Sequence, residues 1–340
     1  MKQSTKVGTD TANEGKWLEP ILDPDRAIVD PHHHLWPPRP DAPYLLDDLD
    51  ADTGSGHRVV ATVFIECMAS FRTEGPEHLK CVGETEFVAA IAAQSRRRPG
   101  LPVAAIVGAA DLRRGAGVDE VLAAHFDAGQ GLFRGIRHAA AWDPSPDIRR
   151  SHHNPPPQLY LDAAFREGFA RLAPAGLSFD AWLFPPQIPD LTDLARAFPD
   201  TNIVLDHFGG PLGIGPYADA RAEVFRTWRR DIAPLAACPN VFIKLGGMAM
   251  PINGYGWHKP PGALPSSEAF VEAQGDYYRA AIDLFGPQRA MFESNFPVDR
   301  VSLSYRTLWN AFKRIAAPFG EAEKDALFRA TAAHFYRLPA

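Results

Sequence analysis

Ile28-Val29-Asp30-Pro31-His32-His33-His34-Leu35-Trp36 is the stretch that decides how this chain is read. Ala27, Ile28 and Val29 are a short apolar run suited to a buried strand, and three consecutive histidines follow. Side chains alternate faces along an extended chain, so His32 and His34 share one side and His33 takes the other. Two imidazoles on one side at a strand end make half of a metal site, because neutral imidazole is a common metal ligand. The bland alternative is a solvated turn or a purification-tag fragment. A run of three, inside the chain and directly after a strand, fits that poorly.

Outward from this stretch one order repeats: a short β-rich run, a polar loop, a helical pattern. The expected strands are 27–31, 58–67, 102–108, 131–138, 177–183, 202–207, 241–245 and 289–293. Helical patterns fall at 77–97, 118–126, 160–172, 190–198, 217–237 and 267–285, and two more at 303–317 and 321–336 close the chain. Strands alternating with helices predict parallel βαβ units. Eight of them in 340 residues predict a single-domain α/β protein with the (β/α)8 TIM-barrel fold over 27–340, after a partly ordered N-terminal leader over 1–26. The competitor, an open doubly wound sheet, would carry a glycine-rich turn after its first strand. That turn here carries His and Pro.

Polar residues collect at the C-terminal ends of these strands, where barrel active sites lie. They are His32 and His34, Glu66, Arg137 and His138, Trp182, Asp206 and His207, Lys244, and Glu293 and Asn295. His207 ends NIVLDH and precedes Phe208-Gly209-Gly210, where small residues let a ligand approach. It is either a ligand or a core histidine satisfied by the backbone. His32, His34 and His207 would together supply three nitrogens, as in catalytic zinc sites that keep a position for water. By alternation Asp206 falls on the other side and orients the structure. Arg137 could grip a substrate carboxylate in two-pronged fashion or form a rim salt bridge. His138 stands beside it. Glu84 either reaches the site or starts a helix. Lys244 is either a substrate contact or an inward charge paired with a carboxylate. Trp36, Trp142 and Trp182 could wall the pocket. His152 and His153, with 255–258, form a lid or a solvated surface. Cys67, Cys81 and Cys238 read as packing residues.

Asp30-x-His32-x-His34-x-Trp36, Gly83-Glu84, Phe179-Asp180, VLDHFGGP at 204–211 and MFESNFPVD at 291–299 together resemble the amidohydrolase-2 branch of the amidohydrolase superfamily. These are barrel-fold hydrolases and lactonases, with some decarboxylases, and the resemblance runs from Ala27 to the C-terminus. It implies that His32 and His34 are metal or substrate residues and that His207 is the later-strand histidine. At the position of Asn295 the family usually has an aspartate that ligates a metal or activates water. An amide cannot take that proton. Glu293 could then be the base, Asn295 could hold water or substrate while another group takes the proton, or hydrolysis could be lost. The resemblance implies a divalent metal, zinc first; metal-free lactonases in the same branch leave an empty site open.

Composition sets the outer bounds. The net charge is −6, from 35 basic and 41 acidic residues with no basic block, which argues against a nucleic-acid partner. Three cysteines without a CxxC pair point to a reducing compartment, hence the cytoplasm. No apolar run approaches the roughly 20 residues of a membrane span. The expected function is hydrolysis of a small cyclic ester (lactone) or related amide that bears a carboxylate. Metal-dependent nonoxidative decarboxylation and a non-catalytic small-molecule-binding barrel are the alternatives. The partner is a small-molecule substrate, and a homo-oligomer is compatible with the sequence.

Overall fold

The computed structural model describes residues 19–38, 43–97, 103–259 and 264–339. Eight parallel strands run in chain order: β1 (Ala27–His33), β2 (Arg58–Ile65), β3 (Val103–Ala109), β4 (Phe133–Arg137), β5 (Ser178–Ala181), β6 (Ile203–Leu205), β7 (Val241–Leu245) and β8 (Ala290–Phe292). Most of their residues are buried on both faces, the condition under which parallel strands read as continuous apolar runs. The ring closes just past β8, where the Asn295 N–H donates to His32 O at 3.0 Å and the His34 N–H to Phe296 O at 2.8 Å. The two stretches singled out from the sequence therefore zip the barrel shut.

The larger helices pack outside the barrel: α1 (Leu46–Thr53), α2 (Val82–Ser95), α3 (Asp119–Gly129), α4 (Ala163–Phe169), α5 (Ile188–Ala197), α6 (Arg221–Ala236), α7 (Ser267–Phe285) and α8 (Tyr305–Ala316). α5 shows why: Ile188, Leu191, Leu194 and Ala195 recur at helical spacing and all are buried. Asp162, Ser266 and Ser304 cap α4, α7 and α8 by accepting from backbone N–H groups three residues on. The last helical stretch runs through α9 (Glu321–Asp325), a wide turn at Ala326–Ala330 and α10 (Thr331–Phe335). Its Ala332, Phe335 and Tyr336 share one apolar cluster with Val29, Val63, Val204 and Met291 of the strands. Among the described residues no helix is long and apolar enough to cross a membrane.

Some local expectations change. α1 escapes the helical pattern because only Leu46, Leu49 and Thr53 of its eight residues are buried, among acidic neighbours. The helix expected from Glu77 is a separate short turn at Glu77–Leu79 followed by α2. Gly83, in the first turn of α2, lies so close to the Arg72 backbone nitrogen that a Cβ would sit 2.7 Å away. Pro102 and residues 1–18 of the expected leader lie outside the described residues. The rest of that leader is docked: Glu19 accepts from the Ser267 N–H at 2.6 Å, and the Leu22 N–H donates to Asn310 Oδ1 at 3.0 Å.

Candidate active site

The C-terminal strand ends carry a buried layer of charge. Lys244 of β7 lies 2.6 Å from Asp180 Oδ2 and 3.0 Å from Asp206 Oδ1. Arg137 of β4 donates through Nε to Glu66 Oε1 at 2.7 Å, through Nη2 to the Glu66 carbonyl, and through Nη1 to Asp206 Oδ2 at 3.4 Å. Glu66, Asp180, Asp206, Lys244 and Glu293 have no solvent exposure. Burial alone would raise the Asp206 carboxyl, but Lys244 and His32 hold it well below its usual range. Lys244 stays above its ordinary value because Asp180 and Asp206 outweigh its desolvation. Tyr336 donates its hydroxyl to Asp180 at 2.6 Å, tying this layer to the last helical stretch. Asp206 faces inward, contrary to the alternation expected from sequence. The strand stops at Leu205, and the chain then enters the left-handed region at His207 (φ 54°) and Phe208 (φ 59°). Strand alternation no longer applies, and a backbone held there marks a constrained site.

Above this layer the hydrogen-bond partners fix which imidazole nitrogens carry protons. His34 Nδ1 lies 2.8 Å from the Ile65 carbonyl, which can only accept, so Nδ1 holds the proton and Nε2 the lone pair. His207 Nδ1 lies 2.6 Å from Glu293 Oε1, with the same consequence. His32 Nδ1 is 2.9 Å from Glu293 Oε2, while its Nε2 lies 3.4 Å from Arg137 Nη1, which can only donate. Both His32 nitrogens are therefore used within the protein. Burial lowers His32 to about 4 and His34 well below its ordinary value. Burial pushes Glu293 up, but His207 and His32 more than offset this and hold it at about 2.

A cavity of about 260 Å³ opens over these groups. His34, His207, Asn295 and Arg137 face it, Trp36 and Trp182 wall it, and Met250 and Val298 add apolar surface. The Trp182 ring stands edge-on to His207 at 5.0 Å. Gly247 (φ 66°) makes room for the imidazole, since a Cβ there would lie 2.3 Å from His207 Nδ1. Asn295 adopts φ 56°, a left-handed conformation that Asn and Asp tolerate best among side chains with a Cβ. Its Nδ2 donates to Asp299 Oδ1 at 3.0 Å.

A family profile described as Amidohydrolase matches residues 29–338. The chain belongs to the amidohydrolase family. An uncharacterized protein, y4mH, of Sinorhizobium fredii is 33% identical over 335 residues, covering 92% of this chain and 99% of that one. An L-fucono-1,5-lactonase of Burkholderia multivorans is 31% identical over 258 residues, 75% of this chain and 77% of the relative. A crystal structure of a Burkholderia multivorans amidohydrolase with bound zinc is 26% identical, with TM-score 0.72, and covers 92% of this chain and 100% of that one. This amidohydrolase is thus a barrel hydrolase with lactonase homologues.

The zinc-bound relative makes the donor set here a direct question. His32, Asp206 and His207 bring ligand atoms within 4.8 Å of one another. In this arrangement they do not fit a divalent ion. Both His32 nitrogens are engaged, Lys244 Nζ stands 3.0 Å from Asp206 Oδ1 and 3.2 Å from His32 Nδ1, and Arg137 approaches from the other side. An ion there would face two fixed cations. His34 lies outside this set, and Asn295 is a poor ligand.

Other expected site residues also sit differently. Glu293 is sealed beneath His207 and does not reach the cavity, so it cannot be the base that touches water. Four of the five Arg137 N–H groups are taken by protein acceptors, which removes the two-pronged carboxylate grip. Lys244 belongs to the buried layer and does not line the cavity of about 260 Å³. Glu84 accepts from the Cys67 and Ala69 N–H groups at 3.1 and 2.7 Å, shaping the loop after β2. Burial and Glu66 raise it to about 7. His138 and His153 face a neighbouring cavity, whereas His152, read as a surface residue, lines both. Trp142 and 255–258 do not line the cavity of about 260 Å³. The role of Asp206 and the paired use of Glu293 had no signal in spacing; the glycines at 246–247, opposite Glu293 and His207, are the trace that would have exposed them.

Proposed function

We propose that this amidohydrolase opens the ring of a small lactone, with His207 as the base that activates water. The observation that carries this reading is the Glu293–His207 contact of 2.6 Å, which leaves His207 Nε2 as a lone pair on a cavity-lining side chain. The L-fucono-1,5-lactonase relative supports a sugar lactone as the ring to try first. Trp36 and Trp182 offer the flat apolar walls such a ring needs.

The steps follow from where the protons are. Water attacks the lactone carbonyl while His207 Nε2 takes its proton, and Glu293 stabilises the imidazolium through Nδ1. The oxyanion forms beside Arg137, whose fixed positive charge borders the cavity. The ring C–O bond then breaks, and the His207 proton passes to the departing alkoxide, giving a hydroxy acid. His34, locked as an acceptor, is suited to a substrate hydroxyl. Asn295 holds substrate or water and takes no proton. Zinc, the first-choice metal on family grounds, has no step here because both His32 nitrogens are engaged and Lys244 and Arg137 crowd the same group of donors.

The test is a panel of 1,4- and 1,5-sugar lactones assayed by acid release. Ring opening above the spontaneous rate, lost in His207→Ala, supports the reading. A panel with no turnover, in protein shown to be folded, sinks it.

A further inference from the structure

A second cavity of about 430 Å³ adjoins the catalytic one, and His152 forms the wall they share. It is lined by His138 and His153, by Arg113 and Arg114, and by apolar surface that includes Phe71 and Met68. Glu66, His152 and His153 bring three ligand atoms together at its edge, which at first suggests a metal. The proton positions argue otherwise. The Ala139 N–H donates to His153 Nδ1 at 3.0 Å, so a neutral His153 has already used its lone pair and carries its proton on Nε2, facing Glu66 Oε2 at 3.4 Å. His138 is fixed in the same way: the Leu112 N–H donates to its Nδ1 at 3.3 Å. Its Nε2–H meets no acceptor among the described residues, although the side chain is only 5% exposed.

The cavity therefore holds a buried, pre-oriented donor with nothing to donate to. The charges around it single out one cation. Arg113 is spent on Asp111, with two contacts of 2.9 Å, and Glu77 pairs with Lys80 at 2.6 Å. The Arg114 backbone N–H donates to the Asp111 carbonyl at 3.2 Å, but its guanidinium makes no ion pair or hydrogen bond among the described residues. A donor and an unpaired guanidinium over apolar walls select an oxyanion carried on an apolar stem. Arg137, the residue that sequence would assign to a substrate carboxylate, has its N–H groups largely taken. We propose that the second cavity is a subsite for a carboxylate tail of the lactone, with His138 as its fixed donor and Arg114 as its charge. This rests on the lactone reading for the ring and adds what the ring must carry.

The experiment compares a δ-lactone bearing a ω-carboxyalkyl chain with its neutral N-methylamide, in wild type and in Arg114→Glu. The expected result is at least a tenfold higher kcat/KM for the acid, expressed in KM, and loss of that preference in the variant. Equal rates for the two lactones, or a preference that survives Arg114→Glu, overturns the subsite. If neither lactone turns over, the lactone reading fails, and the subsite is judged by calorimetric titration with phenylacetate. Binding at least tenfold weaker in Arg114→Glu supports it. No binding to wild type, or equal binding to both proteins, overturns it. Arg114 is exposed on the surface, so the variant is not expected to disturb folding.

Discussion

The buried charge layer and the cavity above it use similar residue types to opposite ends. Below, Lys244, Arg137, Asp180, Asp206 and Glu66 neutralise one another at 2.6–3.4 Å and have almost no solvent exposure. Above, His34 and His207 each spend one nitrogen on the protein, and their side chains line the cavity. Glu293 is the hinge between the two levels, because it stands 2.9 Å from His32 Nδ1 below and accepts from His207 above. Charge alone does not mark a reacting group in this barrel. A reacting group is one whose lone pair or proton is left over after the protein's own bonds are counted.

The largest effect should come from cutting that hinge. Glu293→Gln removes the anion that holds the His207 tautomer, and kcat for lactone opening should fall about 10²–10⁴-fold with the fold intact. A kcat within threefold of wild type would place the base elsewhere. Next comes Lys244→Met, which leaves Asp180 and Asp206 without their shared cation. Removing one partner of a buried pair costs about 3–5 kcal/mol, readable as a lower denaturation midpoint in urea. An unchanged midpoint would mean that the lower layer is not held together by Lys244.

Asn295→Asp perturbs the cavity side. It sets a second carboxyl where Asn295 now donates to Asp299 at 3.0 Å, and burial has already raised Asp299 to about 7. Two acids this close cannot both ionise easily, so kcat is expected to drop about tenfold, less than the roughly 10²–10⁴-fold of losing a general base outright. A large gain in activity or in bound zinc would instead mark the amide as a lost catalytic acid.

The smallest effect lies away from both levels. His125 is neutral and satisfied, with Nδ1 2.8 Å from the Thr85 hydroxyl and Nε2 2.9 Å from the Ala109 carbonyl. Burial lowers it to about 4. Between the unfolded value near 6.5 and about 4 only the unfolded chain binds this proton, so its contribution to stability falls as pH falls through that window. In His125→Gln the stability slope from pH 6.5 to 4 should be shallower by about 1 kcal/mol per pH unit. An identical slope in the variant would contradict this.

Much of the fold was legible in the chain because parallel strands buried on both faces leave continuous apolar runs, such as Val241–Leu245, which holds to the residue. The ends were less legible. β6 and β8 are only three residues long, and the chain leaves β geometry just where the polar residues begin. Spacing thus placed His34, His207, Trp36 and Trp182 at the cavity but misjudged Asp206, whose direction depends on left-handed backbone after Leu205. Sequence also could not distinguish Arg137 as a substrate clamp from Arg137 as a saturated ion-pair partner. That difference lies in contacts with Glu66 and Asp206, each about 70 positions away.

His207, held by Glu293, is expected to take the proton without a metal. The most direct measurement is kcat for opening a sugar lactone after exhaustive chelation, in wild type and in His207→Gln. Chelated wild type is expected to keep its rate, and the variant to lose at least about 100-fold. A rate that collapses on chelation and returns with zinc, or a variant within tenfold of wild type, would contradict it.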